Sequence, residues 1–355
     1  MRRWIAPLMV VLAGCGGGSG SADSPQSLPT ATPVVAPSPT PRGELPRADS
    51  LGFVFTSFGF DYPTSAPDAC PQGWNLSPRE QQVQTGVLPP DDCQDPEANV
   101  DPDFLTLGTP AVIEGFDLDG IASARNAPVG SECAHDDFTG PSGEPGIDYQ
   151  LWRAIGCIRG FQEGGIVQNV QDDAVVDGSM TILVELRGVD DRVNDDEVEV
   201  QVFASADLPP IGSDQQVLPY GTLNVHPDAR FHSEVATGRL VDGVLTAGPI
   251  DILLRLNIQI VKSELPLRDA WVKVRLLPDG AASGQIHGYW PVEAAYEVFG
   301  RQAGYAGADA LAYTCTGLYA ALKSHADGDY DPASGTCGSL SAIYQFTAQP
   351  AFVVK

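Results

Sequence analysis

In Ile252-Leu253-Leu254-Arg255-Leu256-Asn257-Ile258-Gln259-Ile260 an apolar side chain stands at every second position, five times in succession. Successive side chains of a strand point to opposite faces, so this period predicts a strand with one buried face. Val198, Val200 and Val202 repeat the pattern within Glu197–Val202, and Val272, Val274 and Leu276 repeat it against Lys273 and Arg275. Asp242-Gly243 lies between two short apolar runs, the dipeptide that a two-residue hairpin turn favours. Strands of this kind separated by turns predict an antiparallel β-sandwich or jelly-roll-like core over residues 164–290.

On the N-terminal side, residues 48–163 read as a loop-rich, disulfide-bonded unit that opens with an aromatic strand over Leu51–Phe60. A helix is predicted over Tyr149–Ile158 with Asp148 as its N-cap. On the C-terminal side, residues 291–355 turn helical. Pro291 suits a first helical position, Gly300 suits a stop, and a second helix is predicted over Ala308–His325. A final strand is expected within Ala342–Val354. The predicted class is therefore mostly β with C-terminal helices, and residues 48–355 can be read as one compact body.

The chain begins MRRWIAPLMVVLAGC: two arginines, an apolar stretch too short to span a bilayer, then Leu12-Ala13-Gly14-Cys15. This resembles the lipobox of bacterial lipoproteins, which implies removal of residues 1–14 and lipid on Cys15. Residues 15–47 are rich in Gly and Ser, then in Pro and Thr, and read as a disordered tether. Gly16 follows the cysteine where Asp would suggest inner-membrane retention, so the expected address is the outer membrane of a Gram-negative cell. Multiple acylation at one cysteine would give stable anchoring.

The net charge of −26 repels nucleic acid and anionic headgroups and attracts cations, although such acidity also serves solubility. Besides Cys15 there are six cysteines: Cys70, Cys93, Cys133, Cys157, Cys315 and Cys337. Six allow about fifteen pairings. The similar intervals favour sequential pairs, 70 with 93, 133 with 157 and 315 with 337. The absence of a CxxC removes the usual signature of thioredoxin-like, haem-attachment and zinc-ribbon chemistry.

The candidate metal ligands are aspartates. Asp117 and Asp119 stand two apart before Gly120, Asp136 and Asp137 follow, and Asp148 comes within Gly146–Gln150. Calcium takes six to eight oxygens, often from carboxylates two apart on an irregular loop. Asp327, Asp329 and Asp331 have the same spacing, but Pro332 and Gly338 stand where a calcium loop needs Gly and Glu. Turns, caps and a solvated loop are the simpler accounts of both groups. In His287-Gly-Tyr-Trp290, Tyr289 and Trp290 are candidates for stacking on a sugar face, or else they cover an internal junction. There is no GxSxG, HExxH or phosphate-cradling glycine loop.

FDLDG, CAHDDFTGPSGEPGIDYQ and LWRAIGCIRG, together with ADGDYDPASGTC, resemble a group of uncharacterised exported proteobacterial proteins, many of them lipoproteins. In that group a GIDNQ-like core stands where this chain has Gly146-Ile-Asp-Tyr-Gln150. The resemblance implies one shared architecture and no activity. The expected role is that of a lipid-anchored envelope protein with a non-catalytic binding, adhesion or structural function. Calcium is its expected structural ion, and an envelope protein or a glycan its expected partner. A carbohydrate-active hydrolase built on the β core is the alternative.

Overall fold

The structure is a computed structural model describing residues 50–65, 70, 73–108, 111–123, 133–259 and 261–355. The signal, Cys15 and the tether lie outside the described residues. Eight long strands carry the architecture: β1 (Ser50–Phe60), β2 (Ile182–Arg187), β3 (Asp195–Ala204), β4 (Ala236–Val241), β5 (Val244–Ile258), β6 (Val261–Leu276), β7 (Ala282–Pro291) and β8 (Thr336–Val354). Each is antiparallel to the next, and β8 pairs with β7 on one side and β1 on the other. The mostly β class holds, but the sheet closes into a ring instead of dividing into the two layers of a sandwich. Closure leaves these eight strands no free edge along the paired stretch.

The period-two reading holds strand by strand. Val198, Val200 and Val202, then Ile252, Leu254 and Leu256, then Val272 and Val274 all enter one continuous core. At the β1–β8 seam Phe55 stacks on Phe346 at 4.1 Å and Phe58 on Tyr344 at 4.9 Å between ring centres. Asp242 and Gly243 have φ of 51° and 75°, the left-handed pair that a tight hairpin turn between β4 and β5 requires.

The helical segments close around aromatic rings at the end of β1. Phe161 meets Phe299 at 5.0 Å, Phe299 reaches Phe60 at 6.3 Å, and Trp290 lies 5.3 Å from Phe299. The predicted helices are cut differently. The first spans only Gln150–Ile155, its cap position is Tyr149, and Asp148 makes no cap. Gly300 does not stop the next one. Val292–Tyr296 continues through a wider turn, Glu297–Gln302, into Gly304–Leu311. Gly300 serves packing instead, since a Cβ there would lie 2.3 Å from the Tyr296 ring. The helix predicted over Ala308–His325 breaks at Ala312, at φ 69°, and restarts at Cys315–Ser324, where the Thr314 hydroxyl caps Gly317 N–H.

The sequential disulfide pairing is overturned. The bonds are Cys70–Cys157, Cys93–Cys315 and Cys133–Cys337, separated by 87, 222 and 204 residues. Similar sequence intervals carried no information about pairing, because barrel closure brings the two ends of the chain together. Each bond therefore staples segments distant in sequence. In the chain-entropy model such loops correspond to about 5 kcal/mol each, above the roughly 3 kcal/mol of a local loop.

Candidate metal centre

Two loops and a strand end bring the acidic residues together. The loop carrying Asp117 and Asp119 is pinned to β7, because Phe116 N–H donates to Nδ1 of His287 at 3.0 Å. His287 is fully buried, and desolvation lowers its pKa to about 3, so the ring is a neutral acceptor there. The Gly146–Gln150 segment then locks onto this loop. Asp148 N–H donates to the Phe116 carbonyl at 3.1 Å, and Asp148 Oδ2 accepts from Leu118 N–H at 2.6 Å. Its neighbours hold the segment in place. The Tyr149 hydroxyl donates to the Asp61 carbonyl at 2.9 Å, and Gln150 N–H donates to Ser341 Oγ at 2.8 Å.

The remaining carboxylates are oriented in the same way. Asp119 Oδ1 accepts from Ile121 N–H at 2.7 Å, Asp137 Oδ2 from Ser123 N–H, and Asp327 Oδ1 from Ser341 N–H at 2.7 Å. Each of these side chains thus spends one oxygen on a backbone donor. One carboxylate oxygen from each of Asp117, Asp119 and Asp148 lies within 4.8 Å of the other two. The Asp137 and Asp148 carboxylates, and those of Asp119 and Asp117, lie close enough to act on one another. Two full charges at such separation repel by about 3 kcal/mol at an effective dielectric constant of about 20.

Electrostatics follow from this crowding. Burial first, then the Asp327 charge, pushes the Asp148 carboxyl far above the usual carboxylate range. Burial raises Asp137 and Asp119 as well, with neighbouring aspartates adding to it, and burial raises Asp327 to about 7. Asp327 Oδ2 is buried with no partner among the described residues. Crowded carboxylates of this kind stay ionised together only when a cation sits among them. The donors are all oxygens, and they come from irregular segments of different loops. That suits a hard ion of flexible coordination such as calcium better than the strict octahedron of magnesium.

Of the eight proposed aspartate ligands, Asp117, Asp119 and Asp148 gather within 4.8 Å, and Asp137 and Asp327 stand outside that set but near enough to act on Asp148 electrostatically. The second predicted calcium loop does not form. Gly328–Asp331 is a short strand on β8, and alternate residues of a strand lie about 6.6 Å apart, too far to share one ion in sequence order. Asp329 instead pairs with Arg268 at 2.6 Å, and Asp331 caps the following turn through Ala333 N–H at 2.9 Å. Asp136 offers its carbonyl to Gln150 Nε2 and Arg153 Nε, at 2.9 and 3.1 Å, while its neighbour Asp137 stands beside the cluster. Trp290, proposed for stacking on a ligand, is only 1% exposed and packs on Phe299 and Tyr344. Adjacent strand residues face opposite ways, so Tyr289 lines the neighbouring cleft while Trp290 fills the core.

That cleft, of about 560 Å³, opens over Asp119 and Asp327 and is also lined by Asp269, Trp271 and Tyr330. Sequence reading missed these three, although Asp269 and Trp271 alternate with buried Ala270 and Val272 on β6 and were legible as its outer face. No family model matches the chain, and comparisons with curated proteins and with solved structures return no match.

Gly146 tests the geometry. Its φ is +84°, and a Cβ there would lie 2.9 Å from Asp117 Oδ2. Gly146→Ala is expected to cost about 1 kcal/mol or more for the backbone conformation alone. It should also weaken calcium binding about tenfold by displacing Asp117, as read by calorimetric titration.

Proposed function

We propose that the chain is a lipid-anchored protein of the cell envelope whose barrel body binds a divalent cation, calcium above all, and serves a non-catalytic binding, adhesion or structural role. The observation that carries the cation reading is the gathering of Asp117, Asp119 and Asp148 within 4.8 Å, with Asp137 and Asp327 beside them and four of the five oriented through one oxygen by backbone N–H groups. Asp327 supports it further, with a buried oxygen that lacks a partner among the described residues. A hydrolase of glycosidic bonds needs two carboxylates facing each other across a sugar, whereas Asp117, Asp119 and Asp148 crowd within 4.8 Å of one another. The anchor rests on the Leu12-Ala13-Gly14-Cys15 signal and the Gly/Ser/Pro/Thr tether, and the outer-membrane address on Gly16.

The test is a thermal melt of the full-length protein in excess EDTA and then in millimolar calcium, with magnesium in parallel. A ligand that binds only the native state at about 100 times its Kd adds about 2.7 kcal/mol of stability. A large rise with calcium and a smaller one with magnesium is expected. An unchanged Tm would sink the cation site. For the anchor, mass spectrometry of the N-terminal peptide should find acyl chains on Cys15, lost in Cys15→Ser.

A further inference from the structure

The end of the sheet at which the chain enters β1 carries an exposed aromatic surface. Gly52 of β1 pairs with Ala351 of β8, and Ala351 pairs in turn with Gly221 of the short strand Gly221–Asn224. Two exposed rings stand at this junction, Tyr220 at 57% and Phe352 at 59%, with centres 6.4 Å apart. Ala351 and Val353 pack into a small second core with Val54 and Leu223. Alternation along the strand therefore turns Phe352 and Val354 the other way, to solvent. Exposed rings, a tyrosine hydroxyl and a flanking lysine, Lys355, are groups that settle at a membrane–water interface.

The point where the chain enters the body decides between this face and a rival. Val83 and Val87 are also exposed. The helix that carries Val83, Pro78–Thr85, is tied by Glu80 to Arg159, two residues from Phe161, which meets Phe60 at 5.9 Å. Phe60 lies about 30 Å from Ser50 along β1. A flexible chain over residues 16–49 also reaches about 30 Å, less than the roughly 50 Å breadth of a folded body of this size. Lipid on Cys15 would therefore hold the Ser50 end toward the bilayer. At the millimolar effective concentration that a short linker sets, a small apolar surface is enough to dock. Charge selects the lipid. Asp190, Asp191, Asp195 and Asp242 stand on hairpins at the same end and oppose an anionic surface.

We propose that Tyr220, Phe352 and Val354 form a docking surface for the lipid bilayer, seated against zwitterionic headgroups. This deepens the anchor reading and rests on acylation of Cys15. The experiment places the lipidated full-length protein in phosphatidylcholine vesicles, plain or with brominated acyl chains, and reads tryptophan emission. Phe352→Trp should gain a component that brominated lipid quenches severalfold more strongly than the one gained by Val83→Trp. Both positions are exposed, so neither exchange disturbs the core. Adding Tyr220→Ser to Phe352→Trp should reduce the quenching, and phosphatidylglycerol in the vesicles should reduce it as well. The inference is overturned by equal quenching at the two positions, by stronger quenching in Val83→Trp, or by quenching in Phe352→Trp no greater than in the parent. Failure of the anchor shows separately, as parent protein that does not float with vesicles, and it overturns both readings. Protein that floats without quenching in Phe352→Trp overturns the docking surface alone.

Discussion

Asp148→Asn is expected to abolish the calcium-induced rise in Tm, about 5 °C or more for a body of this size, while raising the Tm of the metal-free protein. The asparagine oxygen can keep the bond from Leu118 N–H, and its amide can donate to Asp137, so the segment keeps its anchors. What disappears is the most crowded charge. The same crowding sets the pH dependence. Burial raises Asp327 from 3.8 to about 7 and pushes Asp137 and Asp148 up from the same value. Native protein therefore binds more protons than unfolded chain above about pH 4. The stability these groups contribute is fully present below that value. It is lost as pH rises through 7 and on through the Asp148 range. Calcium displaces those protons, so calcium-loaded protein should show little of this decline. Melts at pH 5, 7 and 9, in EDTA and in calcium, check it. A metal-free protein whose Tm rises from pH 5 to 9 would contradict the crowding.

Removing the Cys93–Cys315 bond as a double alanine variant should lower the unfolding free energy by about 3–5 kcal/mol, read by urea titration. The bond spans 222 residues and joins the loop around Cys93 to the first turn of Cys315–Ser324. That loop is held besides by the Tyr296 hydroxyl, which donates to the Cys93 carbonyl at 3.1 Å. Calcium binding should survive, because none of Asp117, Asp119, Asp137, Asp148 and Asp327 lies on either segment. The Cys133–Cys337 bond is different: Cys133 lines the cleft over Asp119 and Asp327. Its removal should weaken calcium binding as well as stability. Equal loss of calcium affinity in both double variants would mean that the cluster depends on global rather than local order.

Among the candidate ligands, Asp117, Asp119 and Asp148 were legible as a set because they sit on irregular segments at suggestive spacing. Asp327 was legible as an aspartate but was assigned to the wrong partners. The spacing of Asp327, Asp329 and Asp331 suggests a loop along the chain, whereas the carboxylates gather across it, near where β7 and β8 pair. His287 carries no role legible in the sequence and serves as the neutral acceptor that fixes the Asp117 loop. Tyr289 and Trp290 were read as a pair and part company because a strand turns neighbours to opposite faces.

The strands from Glu197 to Leu276, the Asp242-Gly243 turn and the acidic character were determined by the sequence itself, because periodicity and turn chemistry act over a few residues. Ring closure, the three disulfides and the carboxylate cluster were decided only by the tertiary structure. Gly52–Phe60 meets Tyr344–Ala351 across nearly the whole body, and no local pattern at either end names the other. Such pairing is selected by the summed burial of many side chains at once, a quantity that exists only when the chain is folded.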